Sequence, residues 1–411
     1  MARKTMRRAG AWIGLGAFTA GAGAVVGFGI WLLLDVAYWL LDLVWKNGVD
    51  ALGIAWLPVV VCAVGGVCIG LWNKRFHCAP KPFNEVISDV KRTGGYHLGR
   101  VAPSAVAFLL PIAFGGSVGP EAGLMGLIAA GCTWVGERMR AMGVRLGVMH
   151  EGEDFSKAAK RTLYVVGTAG GVAGVVAVIA LVGSGMSIPR FEAVAFGIEP
   201  LLWAVPLALG GYALGLLYLA VVRGAQALHE RFDRHVVLMP TLVGLALGTA
   251  AVFLPYVLFP GSQQASELMG AWTGMSAVAL LLTGLAKTVF IALCLNLGWS
   301  GGPYFPLIFC GISFGYGVSA ATGLDPVLCV TAITAALMAA FSRQPGAAVI
   351  ISLLVFPPTS IPVLAVAIAV GLLVPLPKAI APTKLAPTGQ PPTGQPPTGQ
   401  PPTGQPPAPQ K

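Results

Sequence analysis

Apolar residues fill nearly the whole chain from Ala11 to Pro377, interrupted only by short polar loops. Inside a bilayer no water is available for backbone groups, so a chain of this kind is confined to helices or a closed barrel. A spanning helix takes roughly 20 apolar residues, which allows about ten helical segments here, some of them partial. Composition agrees: 56% of residues are hydrophobic and 10% charged, with a mean hydropathy of +0.78. The fold class expected is an all-α polytopic membrane protein. The 55 glycines suit close helix packing in lipid.

The formal net charge of +10 bears on topology before partners, and nothing supports a nucleic-acid role. Arg3, Lys4, Arg7 and Arg8 precede a long apolar run. A cleaved leader has a shorter apolar core, so the run from Ala11 to about Leu34 is expected to be retained as a span. Cationic flanks favour the cytoplasm. The loop 73–100, with Lys74, Arg75, Lys81, Lys91, Arg92 and Arg100, is expected on the same side after spans near 11–44 and 52–72. The chain divides into a basic N-terminus (1–10), a first membrane half (11–222), a basic connecting loop (223–237), a second membrane half (238–377) and a tail (378–411). TGQPP repeats four times from Thr388 to Pro407. Such a tract buries no apolar surface and is expected to be disordered or polyproline-like. Both termini are expected in the cytoplasm, and the protein in the plasma membrane.

Each membrane half carries one interruption: GGSVGP at 115–120 and GGPYFP at 301–306. Glycine costs a helix about 1 kcal/mol and proline about 3 kcal/mol, so neither stretch belongs inside a spanning helix. Ordinary loops between helices are one reading. Both stretches lack the charges that mark the exposed loops, and paired Gly/Pro breaks point to an inverted-repeat transporter with a midplane site. A helix restarting after a break presents free N–H groups and the positive end of its dipole. Proline is tolerated in its first turn, and glycine lets an ion approach the backbone. Two such ends aimed at one point make an anion site without a fixed cation, holding the ion weakly enough for release.

At this point a family resemblance becomes specific. GGSVGPEA resembles the G-[KR]-E-G-P motif of the CLC chloride channel and transporter family, and SGGPYFPLIF its G-G-x-F-x-P motif. Their order and separation fit, and AAFSRQPGAAVIISLLVF, 339–356, looks like the family's late R-x-P segment. The resemblance implies a CLC-like inverted repeat of tilted and broken helices and a homodimer with an anion pathway in each subunit. Carried over by position, Gly115, Gly116, Pro120, Gly301, Gly302, Pro303 and Pro306 are break residues. Ser117, Val118, Gly119, Tyr304 and Phe305 form the expected anion-binding set, with the amides of Val118, Gly119, Tyr304 and Phe305 lining the path.

The sequence departs from the family at several points. The gating glutamate falls on Val118, which neither titrates nor mimics an anion. The inner serine motif is matched only loosely by HCAPKPFNE, 77–85, where Pro80 and Pro82 mark a helix start. No tyrosine stands in 361–377, and the region after GTAGGVAG, 167–174, is shorter than in the family.

Glu121 follows the first break at once. It is either a displaced gate or proton site, or a first-turn helix stabiliser turned away from the path. Lys287 either adds positive field to the pathway or snorkels to an interface. Arg343 is expected to fix a loop or helix end. Asp35 and Asp42 share a helix face and are expected to pair or lie at an interface rather than relay protons. The five histidines lie in polar loops without zinc-like spacing, and the seven cysteines show no CxxC pair. No metal, cofactor or enzymatic activity is expected, and no GxxxxGK[ST] motif points to nucleotide-driven transport. The function expected is transmembrane transport of chloride or a similar monovalent anion by passive, channel-like conduction. The alternatives are a proton-coupled chloride or fluoride exchanger using Glu121, and a non-conducting membrane scaffold.

Overall fold

Every regular element among the described residues is helical. The computed structural model describes residues 2–78, 83–97, 99, 101–182, 189–232 and 234–377, and of residues 2–8, 83 and 84 only the backbone. The tail 378–411 and Pro80 and Pro82 lie outside the described residues.

The same order of elements runs twice. In the first half a long helix α1 (Ala2–Val44), ending in a π turn over Trp45–Asp50, leads to α2 (Leu57–Phe76) and a short α3 (Phe83–Thr93). Then come α4 (Val101–Ala113), the first break, α5 (Glu121–Arg145) and α6 (Lys157–Val182). In the second half a long α7 (Ile198–Arg231) leads to α8 (Leu238–Phe253) and a short α9 (Ser262–Ala271). Then come α10 (Ala277–Asn296), the second break, α11 (Tyr304–Thr322) and α12 (Pro326–Ser342). Two further helices, α13 (Pro345–Val355) and α14 (Ile361–Leu373), close the described chain. The packing repeats as well: α1 lies against α6 as α7 lies against α12, and α2 meets α8 where the halves join.

Three boundaries differ from those the sequence implies. The expected connecting loop 223–237 is helical as far as Arg231, because AQALHER supplies good helix formers and no breaker. The polar stretch 73–100 contains α3, which is amphipathic rather than irregular. Helix α1 also runs back through the expected N-terminal segment to Ala2.

Small residues set the closest crossings. Gly23 and Gly27 of α1 lie directly on the backbone of Gly167 and Gly171 of α6, so that a methyl group at either α1 position would strike a carbonyl. The two helices run parallel there. Without a hydrophobic drive between helices in lipid, such backbone approach is what holds them. Leu15, Met139, Phe155 and Leu163 cluster where α1 and α6 begin and α5 ends. The Tyr96 amide donates to Thr133 Oγ1 at 2.8 Å and Asn73 Nδ2 to the Gly298 carbonyl at 3.2 Å. With Gly70 of α2 lying against Val237 and His97 Nε2 2.9 Å from Glu137, the end of α2, the stretch after α3 and the polar part of α5 come together near the start of α8.

Candidate anion site

Helix α4 ends at Ala113, and its last carbonyls find partners outside the helix. Trp45 Nε1 donates to the Ala113 carbonyl at 3.0 Å. The Phe259 amide donates to the Gly115 carbonyl at 3.2 Å, and the Gly116 amide to that of Pro111 at 2.7 Å. Gly115 has φ +77°, the left-handed region that glycine enters freely. The Trp45 ring occupies the space a side chain there would need, and the fully buried Trp299 ring does the same at Gly116. Trp299 is anchored by its Nε1, which donates to the Pro240 carbonyl at 2.9 Å. Two tryptophans thus shape the break, and residues 115–120 are all buried.

The two breaks touch. Gly119 and Gly302 form an isolated antiparallel bridge in which each amide donates to the other's carbonyl at 2.7 Å. The bridge reveals the register. Pro120 is the N-cap of α5 and Pro303 the N-cap of α11, both in the right-handed helical region. Gly119-Pro120-Glu121 therefore matches Gly302-Pro303-Tyr304. The two breaks share a GGxxxP spacing that would pair Pro120 with Pro306, but Pro306, expected as a break residue, lies inside the first turn of α11, buried. Helix starts follow the N-cap proline, not the count from the first glycine.

This register redistributes the expected anion ligands. The Gly119 amide is spent on Gly302. Ser117 and Val118 are 0% exposed; Ser117 Oγ has no partner among the described residues, and Val118 packs into the core formed by α1, α2, α4, α8 and α10. Gly301 lies against the Val118 side chain. Tyr304 and Phe305, by contrast, are half-buried and open the amino end of α11.

Glu121 reaches the amino ends of both restarted helices. It is the first residue of α5, and its Oε1 accepts the Phe305 amide of α11 at 2.6 Å. The amides of Glu121 itself and of Tyr304 are also turned to the carboxylate. One carboxyl group therefore sits between the amino ends of both restarted helices, where both dipoles favour its charged form. It lies directly over the Cα atoms of Gly119 and Gly302, in space that a Cβ at either would fill. Its Oε2 is buried without a partner among the described residues. The Glu121 side chain is turned toward the second break rather than away from it.

Aromatic residues from both halves border this point. The Tyr304 and Tyr218 rings each stand edge-on to Phe341, with centroids 5.3 Å apart. Tyr38 of α1 shares a 3.1 Å hydrogen bond with Ser262 of α9, and Tyr38, Tyr218 and Tyr304 all lie within electrostatic reach of the Glu121 carboxylate. Sequence reasoning missed Trp45, Trp299 and Phe341; the signal available was the tryptophan just before GGPYFP and glycines that leave room for a ring. Lys287 is 0% exposed and does not snorkel. Arg343 donates to the Gly371 and Val374 carbonyls at 2.7 and 3.2 Å, fixing the end of α14 as expected. Asp42 pairs with Lys46 at 2.9 Å on the exposed side of α1. Among the described residues no group of His, Cys, Asp and Glu is placed to hold a metal ion, and no disulfide forms.

Residues 175–375, which include the second break and α7–α14, match the model of the voltage gated chloride channel family. Over these residues the chain matches the CLC family. Solved structures share its fold. A CLC-type fluoride/proton antiporter is 17% identical, over 88% of this chain and 95% of its own, with a TM-score of 0.65. A eukaryotic CLC transporter is 17% identical, over 91% and 72%, at 0.62. A slow cyanobacterial Cl⁻/H⁺ antiporter is 18% identical, over 89% and 93%, at 0.56. No curated protein matches the chain in sequence. The matched family is one of voltage gated chloride channels. In this chain the titratable group at the meeting point of the two helix ends is Glu121.

Proposed function

We propose that this protein exchanges a monovalent anion, chloride or fluoride, for protons, with Glu121 as the group that both fills the anion site and carries the proton. One observation carries the reading: the 2.6 Å bond from the Phe305 amide to the Glu121 carboxylate, at the meeting point of the two breaks. As a carboxylate, Glu121 satisfies the amino end of α11 and competes with a transported anion for it. Protonation removes the charge that both helix ends favour, so the neutral side chain gives way and an anion takes the amides of Tyr304 and Phe305. Return of the carboxylate expels the anion, and the proton leaves on the side to which the site is then open.

The second reading, a passive pore, rests on Val118, the fully buried valine at the family's gating position. Purified protein in liposomes separates the two. Exchange predicts that an outward anion gradient draws protons uphill in the wild type. Glu121→Gln then abolishes proton movement and leaves anion flux independent of pH. Wild-type flux that needs a potassium ionophore and ignores a pH gradient would instead establish the pore. The same reading takes the working unit as a homodimer in the plasma membrane. Its basic segments face the cytoplasm by the bias of Lys and Arg toward that side.

A further inference from the structure

Lys287 stands in the middle of α10, fully buried at membrane depth. No carboxylate pairs with it among the described residues; its electrostatic neighbours are Cys294 and Cys310. Its Nζ donates to three carbonyls of one segment: Tyr256 at 2.8 Å, Leu258, and Phe259 at 3.0 Å. The ammonium also lies over the Phe309 ring of α11, 4.8 Å from its centroid. Between α8 and α9 a 3-10 turn over Pro255–Val257 satisfies the Leu254 and Pro255 carbonyls, but those of Tyr256, Leu258 and Phe259 lie outside that pairing, and at this depth no water serves them. An ammonium has three protons to give, and here each finds a carbonyl.

The segment so held leads to the anion site. Phe259 has φ +68°, a left-handed conformation that a residue with a side chain rarely adopts. Held that way, its amide reaches the Gly115 carbonyl at 3.2 Å. Its ring stands edge-on to Trp45, with centroids 5.0 Å apart, and Trp45 is the ring that fills the space beside Gly115. Two residues on, Gly261 at the start of α9 packs against Phe309 and the Phe305 carbonyl of α11. One segment therefore contacts the first break on one side and the first turns of the second restarted helix on the other.

We infer that Lys287 is a positioning residue for the anion site: by locking Phe259 and its neighbours, it sets the first break, and with it Glu121, against the amino end of α11. The inference rests on the proposed role of Glu121, and its test includes a readout that does not depend on transport.

The full-length protein is purified as wild type, Lys287→Met and Lys287→Gln, the glutamine variant keeping two donors in case the methionine variant does not fold. Backbone hydrogen–deuterium exchange is then followed along the chain. A rise confined to segments 113–119 and 254–261 is expected in either variant. Exchange that is unchanged, or raised evenly over the chain as for a lysine that only stabilises the fold, overturns the inference whatever the flux. In liposomes the folded variant should lose anion flux on the order of tenfold or more, as misplaced reacting groups do. Adding Glu121→Gln should then change little, because the two substitutions act on one arrangement; fully additive effects count against it. If the wild type itself carries no anion, the functional reading fails, and the exchange pattern still decides the role of Lys287.

Discussion

Gly302 and Gly119 meet the Glu121 carboxylate with their bare Cα atoms. Gly302→Ala should therefore push the carboxylate off the Tyr304 and Phe305 amides while leaving every titratable group in place. The expected outcome is loss of proton coupling like that of Glu121→Gln, with overpacking that costs about 1–3 kcal/mol. Flux in liposomes and a melting curve in detergent check the two parts, and retained coupling in a folded Gly302→Ala protein would count against the site. Gly115→Ala is different in kind. With φ +77° and the Trp45 ring beside it, it should lower stability by about 1–2 kcal/mol or more without touching the carboxylate directly. At this scale the sequence placed the breaks and named Glu121 as a candidate, but not its direction. A first-turn carboxylate is favoured by the helix dipole whichever way it points, so only the neighbouring Phe305 amide decides. The register slipped because both motifs share a GGxxxP spacing, whereas the backbone restarts its helices at the Gly-Pro pair.

Helix crossings account for much of what makes this chain so rich in glycine. Where α1 meets α6, a side chain at Gly27 would collide with the Gly171 backbone, a rigid partner that cannot turn aside. Gly27→Leu should separate the two helices and lower yield and melting temperature sharply, while an exposed position such as Gly29, with nothing near it, should accept leucine with little change. Trp299→Ala, which empties a fully buried site beside Gly116, is expected to cost about 3–5 kcal/mol; urea or thermal unfolding in detergent measures it. Hydropathy located the spanning helices well because lipid demands long apolar runs. It failed at 223–231, where basic charge implied a loop although the residues favour helix. It gave no sign of α3, since a short amphipathic helix among charged residues resembles a polar loop; the signal there was Pro80 and Pro82, which mark a helix start just before Phe83. In the segment 254–261, Pro255, Pro260 and Gly261 marked a break between helices, but nothing local showed that its carbonyls are held by Lys287, more than 25 residues downstream.

Taken whole, the molecule is two similar runs of helices joined through α2 and α8 and bridged at Gly119 and Gly302. This arrangement explains how two breaks far apart in sequence reach one point without a fixed cation at its centre. Transport is thereby assigned to the helical core, so removing residues 385–411, with the TGQPP repeats, should leave ion flux intact; a large loss would assign the tail a part in conduction. The most direct measurement of the central claim is a bromide-soaked crystal structure of the Glu121→Gln protein beside that of the wild type, both near neutral pH. The account predicts an anomalous peak in the variant within hydrogen-bonding distance of the Tyr304 and Phe305 amides, where the wild type holds its carboxylate. A variant with no bromide there, or with bromide bound only elsewhere, would contradict it.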